Sequence, residues 1–218
     1  MGYGQFMLKD RNEAGLLLAE KLKDLKIKNP LILAIPRGGV MVAYEIAKRI
    51  GAELDIVTPR KLKDKYDPEL AIGAVMPDGS TFLNEEVIAA RGIEIAYIEK
   101  EKELEINESL RRLNAYRGIR EYPKLNGRIV ILVDDGIATG ATAIAAIKWI
   151  RKHDPKKIIV AVPVIAADIL DKLRREADDV IYLDVPELFF GIGQFYREFE
   201  QVEDGEVIKI LDSYWKDK

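Results

Sequence analysis

The stretch Arg128 to Thr142, R-I-V-I-L-V-D-D-G-I-A-T-G-A-T, constrains the fold more than any other part of the chain. Ile129 to Val133 is an unbroken aliphatic run, which suits a strand buried on both faces of a parallel sheet. Asp134 and Asp135 follow where that strand must end, because two adjacent carboxylates cannot continue a core. Gly136 to Thr142 is small and hydroxyl-rich, and Ala143–Arg151 has the composition of a helix. A strand, short loop and helix of this kind gather backbone N–H groups at the positive end of the helix dipole, where a phosphate monoester can bind. The two carboxylates above that cradle can accept hydrogen bonds from vicinal hydroxyls. Phosphate cradle and diol clamp together suit a ribose 5-phosphate.

A second strand, glycine loop and helix lies upstream. Leu31 to Ile35 is a buried strand, Pro36-Arg37-Gly38-Gly39 the loop, and Val40 to Ile50 a helix ended by Gly51. Gly38 and Gly39 let the backbone approach an anion closely, and Arg37 adds a fixed charge. Leu54 to Val57 is the next strand, and the basic run Thr58-Pro59-Arg60-Lys61-Leu62-Lys63 is expected just past its end, where ligands bind in open α/β sheets. A hairpin about Pro77-Asp78-Gly79 joins Leu70–Val75 to Ser80–Leu83, and Asn84 caps a helix. Ile95 to Tyr116 reads as a long charged surface helix. The amphipathic helix Asp10–Leu25 is expected to bury Ala14, Leu17, Leu18, Leu22 and Leu25. Lys157–Val164 is a strand, Ala166–Glu176 its helix and Val180–Leu183 a last strand; the tail from Pro186 to Tyr196 is aromatic and glycine-rich.

With 218 residues and 48% hydrophobic content, the chain suffices for one well-buried α/β domain over 1–218, a parallel twisted sheet covered by helices on both faces. A net charge of -3 gives no sign of a nucleic-acid partner, the absence of cysteine excludes thiol chemistry, and a single histidine, His153, leaves no histidine-based metal cluster. No apolar run approaches membrane-spanning length, so a soluble cytoplasmic protein is the expectation. No G-x-G-x-x-G follows a strand, which disfavours a dinucleotide binder.

The Ile129–Thr142 pattern resembles the phosphoribosyl diphosphate motif of type I phosphoribosyltransferases, with Ala141 at a position usually held by glycine; alanine fits there if its φ is negative. The resemblance covers roughly residues 30 to 200. It implies a type I fold with a small hood, a helical insert at about 84–118 like that of a little-characterised bacterial and archaeal subgroup, and a C-terminal hood segment at about 185–218. It further implies transfer of a 5-phosphoribosyl group from phosphoribosyl diphosphate to a nitrogen acceptor, a nucleobase first of all, with Mg2+ entering through the diphosphate. By the same resemblance Asp134 and Asp135 hold the ribose, and Ala138, Thr139, Gly140, Ala141 and Thr142 form the 5-phosphate loop. Arg37, Gly38, Gly39, Arg60 and Lys61 meet the diphosphate; Arg37, Lys61, Asp134 and Asp135 carry the catalysis; Phe189 or Phe190 covers the base. A homodimer is compatible with it. Two departures concern the acceptor. Ala138 stands where the 6-oxopurine enzymes carry an aspartate, and Val160–Val164 lacks their lysine, so hypoxanthine, guanine and xanthine are doubtful acceptors. The alternative is a non-catalytic phosphoribosyl diphosphate sensor or regulator. Such regulators usually add a DNA-binding domain or a basic face, neither of which is visible here.

Overall fold

A computed structural model of the chain describes residues 6–68 and 70–216. Five strands form a parallel sheet in the order β2-β1-β6-β7-β8: β1 Leu31–Ala34, β2 Glu53–Ile56, β6 Ile129–Val133, β7 Lys157–Val164 and β8 Asp179–Asp184. Side chains alternate across a strand, and here both faces are buried. In β6, Val130 and Leu132 enter one core while Ile131 and Val133 enter the other. β1 and β7 divide in the same way, which is why these strands read as unbroken aliphatic runs. One face is covered by α1 (Arg11–Lys23), α2 (Gly38–Ile50) and α7 (Asp204–Lys216), the other by α5 (Ala141–Arg151) and α6 (Ala167–Glu176).

This strand order defines where a ligand can sit. The chain leaves β1 through α2 to reach β2 on one side, and leaves β6 through α5 to reach β7 on the other. The sheet therefore changes winding direction between β1 and β6, and the loops leaving their carboxyl ends diverge to opposite faces. A crevice opens at such a switch point.

A smaller antiparallel sheet, β3 (Arg60–Lys63), β4 (Ala71–Val75) and β5 (Thr81–Leu83), packs with α3 (Glu85–Arg91) and α4 (Ile95–Arg117) about Leu62, Ile72, Val75, Ile93 and Ile98. The basic run, which follows the β2 strand end as expected, itself forms the strand β3. Its pairing is supplied by β4, so nothing within R-K-L-K itself announces it. α3 starts on the expected cap, the Asn84 side chain accepting from the Val87 N–H at 3.3 Å.

Two helices differ from their expected settings. In α1 the buried residues are Ala14, Gly15, Leu18, Ala19 and Leu22, while Leu17 and Leu25 are exposed. The reason is the close crossing of α1 with α2: a Cβ on Gly15 would lie 2.5 Å from the Val42 carbonyl oxygen, so small residues face the partner helix. α4 is not merely a surface helix. Ile98, Glu105, Ser109, Tyr116 and Arg117 are buried against the body of the protein.

Candidate active site

The loops after β1 and β6 touch at the switch point. The Ile35 N–H donates to the Val133 carbonyl at 2.8 Å, drawing the two strand ends together. Pro36 and Arg37, joined by a cis peptide, lead into α2. A Cβ on Gly39 would lie 2.9 Å from both Asp134 Cα and the Val133 carbonyl oxygen, and one on Gly38 would lie 1.8 Å from Asp135 Oδ2. The two glycines are therefore required by contact with the other loop, whatever ligand they also admit.

The two aspartates have unlike surroundings. Asp135 is buried; its Oδ2 accepts from Arg11 Nε at 2.7 Å, and its carbonyl accepts from the Tyr196 hydroxyl at 2.7 Å. Asp134 is half-buried, and its Oδ1 accepts from the Asp135 N–H at 2.8 Å. Burial, and next the adjacent Asp135 charge, push the Asp134 carboxyl well above the usual carboxylate range. Burial likewise pushes up the Tyr196 phenol.

The following loop is pinned to β7. The Ile137 N–H donates to Val164 at 2.9 Å and its carbonyl accepts from Ala166 at 3.0 Å. Gly140, at φ +73°, turns the chain into α5 in a conformation that disfavours a side chain, and a Cβ there would also meet Ile169 Cγ2 at 2.7 Å. Ala141 is the first residue of α5 and is not among the positive-φ residues, so the alanine fits. Gly140 caps α5 without a side-chain hydrogen bond, so no capping side chain satisfies the first-turn N–H groups at the positive end of the helix. Thr139 is exposed beside a cavity of about 180 Å³ whose walls include Ala138, Ala141, Phe82, Asp168 and Lys172.

The cationic residues separate. Arg60 Nε pairs with Glu105 Oε2 of α4 at 2.7 Å, and Lys63 approaches the same carboxylate at 3.5 Å. Lys61 lies opposite Ala74, a member of the main core, whereas Arg60 lies opposite Val75 of the smaller one. Facing residues of an antiparallel pair share a side, so Lys61 is turned to the main domain and Arg60 to α4. Arg37 leads the glycine loop, and its guanidinium lies 3.5 Å from Asp204 and 3.9 Å from Glu203 at the start of α7.

The expected C-terminal hood divides in two. Residues up to the turn Ile192–Phe195 run over the β6 loop, where a Cβ on Gly136 would meet Ile192 at 2.7 Å. α7 instead packs against α2, α4 and β2, the Trp215 indole N–H donating to the Leu54 carbonyl at 2.9 Å. Phe189 packs on Phe195 at 5.1 Å between centroids, while Phe190 is 87% exposed and is the open aromatic of the pair. Arg11 and Tyr196 were not among the candidate residues. Arg11 is 124 positions from its partner, and no local pattern connects them. A larger cavity, about 900 Å³, opens near Asn29, Gly51, Arg128 and Lys156 at the amino ends of the strands, away from both loops.

The fold and crevice define an α/β domain with a carboxylate pair at the switch point and a glycine-led helix start on the loop that follows it. The chain belongs to the phosphoribosyl transferase domain family, whose model matches residues 8–199. A Mycobacterium tuberculosis protein provisionally named a phosphoribosyl transferase is 42% identical over 208 residues, covering 95% of this chain and 47% of that protein. The chain thus spans about half the length of the curated relatives it matches most extensively. A uracil phosphoribosyltransferase of Aquifex aeolicus is 24% identical over 157 residues, 70% of each chain. A Thermus thermophilus protein of known crystal structure superposes with a TM-score of 0.80 at 39% identity, covering 95% of this chain and 99% of that one. Among the described residues, no helix is long and apolar enough to cross a membrane.

Proposed function

We propose that the chain transfers a 5-phosphoribosyl group from phosphoribosyl diphosphate to a nitrogen acceptor of the nucleobase type and releases diphosphate. The observation that carries this reading is the contact of the Gly38-Gly39 loop with Asp134-Asp135, on the loop that leads to the glycine-capped start of α5. In this reading the backbone of Ala138 to Thr142 cradles the 5-phosphate, and the aspartates receive the ribose hydroxyls. Gly38, Gly39, Arg37 and Lys61 meet the diphosphate. Charge develops on the leaving group as its bond to C1 lengthens, and fixed cations there favour the transition state. Arg60, paired with Glu105, supports the loop in place of direct contact.

Family membership supports Mg2+. Among the described residues no group of three or more carboxylate or imidazole side chains converges. With Asp134 and Asp135 as the nearby carboxylates, a Mg2+ ion would be held mainly by diphosphate oxygens and water and would supply charge neutralisation to the leaving group.

The acceptor end offers Ala138, which cannot exchange a proton, and the apolar Ile192 packed on Gly136. A 6-oxopurine bound there would leave polar atoms unpaired, at roughly 1–3 kcal/mol each. Diphosphate release assayed against a panel of bases is the test. We expect turnover with an acceptor other than hypoxanthine or guanine, and loss of turnover in Lys61→Ala with ribose 5-phosphate affinity retained. Efficient use of guanine would overturn the acceptor reading, and no release with any base would overturn the transferase reading.

A further inference from the structure

We propose that Arg11 is a positioning residue of this site, acting through Asp135: it holds that carboxylate as the fixed anion that receives the ribose hydroxyls. This inference rests on the reading of the site as one for phosphoribosyl diphosphate. Arg11 is the first residue of α1, in an element that otherwise only packs on α2 and the sheet. Its guanidinium is engaged on three sides. Nε donates to Asp135 Oδ2 at 2.7 Å, Nη1 donates to the Glu200 carbonyl at 3.0 Å, and the Phe199 ring lies 3.8 Å from Cζ. The side chains of Arg11 and Asp135 are each 12% exposed.

Room for the pair is made by Gly38. A Cβ there would come within 1.8 Å of Asp135 Oδ2 and 2.9 Å of Arg11 Nε. The glycine loop, the aspartate loop, α1 and the C-terminal segment thus meet at one ion pair. Without Arg11, two adjacent carboxylates in a poorly solvated crevice would repel each other, and Asp135 would lose its only charged donor among the described contacts. The planar fork and the ring beneath it also fix direction, which a lysine would not.

Calorimetric titration of phosphoribosyl diphosphate into wild type, Arg11→Gln, Asp135→Asn and the double variant tests this. Each single variant should bind about tenfold or more weakly. The double variant should bind no more weakly than Asp135→Asn, because both changes act through one carboxylate. Added guanidinium ion should restore part of the affinity of Arg11→Ala and none of that of Asp135→Asn. Wild-type affinity in folded Arg11→Gln, or additive losses in the double variant, would overturn the proposal. If Arg11→Gln alone does not fold, the double variant against Asp135→Asn decides: equal affinity supports the role and a further loss refutes it. Failure of the wild type itself to bind phosphoribosyl diphosphate would instead overturn the underlying reading of the site.

Discussion

Asp134 and Asp135 are chemically identical neighbours that the fold treats differently. Asp135 has a guanidinium at 2.7 Å, whereas Asp134 receives a backbone N–H and the repulsion of its neighbour. Burial raises the Asp134 carboxyl above its unfolded value, so its protonated form is the one folding favours. The stability linked to that proton is fully present below the unfolded carboxylate range and is lost as pH rises through the higher folded value. Asp134→Asn cannot ionise and keeps an oxygen for the Asp135 N–H. It should therefore raise the melting temperature by about 2–4 °C at neutral pH, an advantage that fades as pH falls toward 4. The same variant should bind phosphoribosyl diphosphate roughly tenfold more weakly, since donation from the ribose hydroxyls draws the Asp134 carboxyl into its ionised form, which the amide cannot supply. Thermal unfolding from pH 4 to 8 beside calorimetry checks both. A destabilised Asp134→Asn at neutral pH would contradict the account.

At the scale of elements, α4 is the device that shapes the site. Spaced along one side of the helix, Glu101 accepts from the Lys63 N–H at 3.3 Å, Glu105 takes Arg60, and Ser109 donates to the Thr58 carbonyl. Further on, the Tyr116 hydroxyl donates to Asp204 at 2.6 Å, and burial with that bond pushes the phenol up to about 12. The helix thus clamps the segment between β2 and β4, and leaves Lys61 on the opposite face of β3. Its carboxyl end is fixed by Arg117, which meets Asp55 at 2.7 and 3.0 Å and lies over Tyr122 at 4.4 Å. Both partners are buried, so removing one strands the other. Arg117→Leu should cost about 3–5 kcal/mol in denaturant unfolding, and adding Asp55→Val should recover much of it. A cost below about 1 kcal/mol would mean that the helix end is held by something else.

Legibility followed from where the stabilising contacts lie. β6 and β7 were readable because residues buried on both faces leave an aliphatic run, and α2 ended as expected at Gly51, with φ +68°. The two loops at the switch point were legible for the same reason: Asp-Asp and Gly-Gly interrupt those runs abruptly. β3 was not, because its strand character comes from β4 and its charge pairing from α4. The stripe of α1 was displaced by a helix crossing that depends on Gly15. Arg11 was invisible because its partner lies across the whole domain.

For the molecule as a whole, the claim is that a winding reversal between β1 and β6 brings two loops together and that their junction grips phosphoribosyl diphosphate. Every other assignment depends on that junction. The most direct test is calorimetric binding of phosphoribosyl diphosphate with Mg2+ to the wild type and to Asp134→Asn/Asp135→Asn, with folding checked by circular dichroism. The account predicts saturable one-to-one binding by the wild type and a loss on the order of 2 kcal/mol or more in the folded double variant. Equal affinity in the two proteins, or no binding by either, would contradict it.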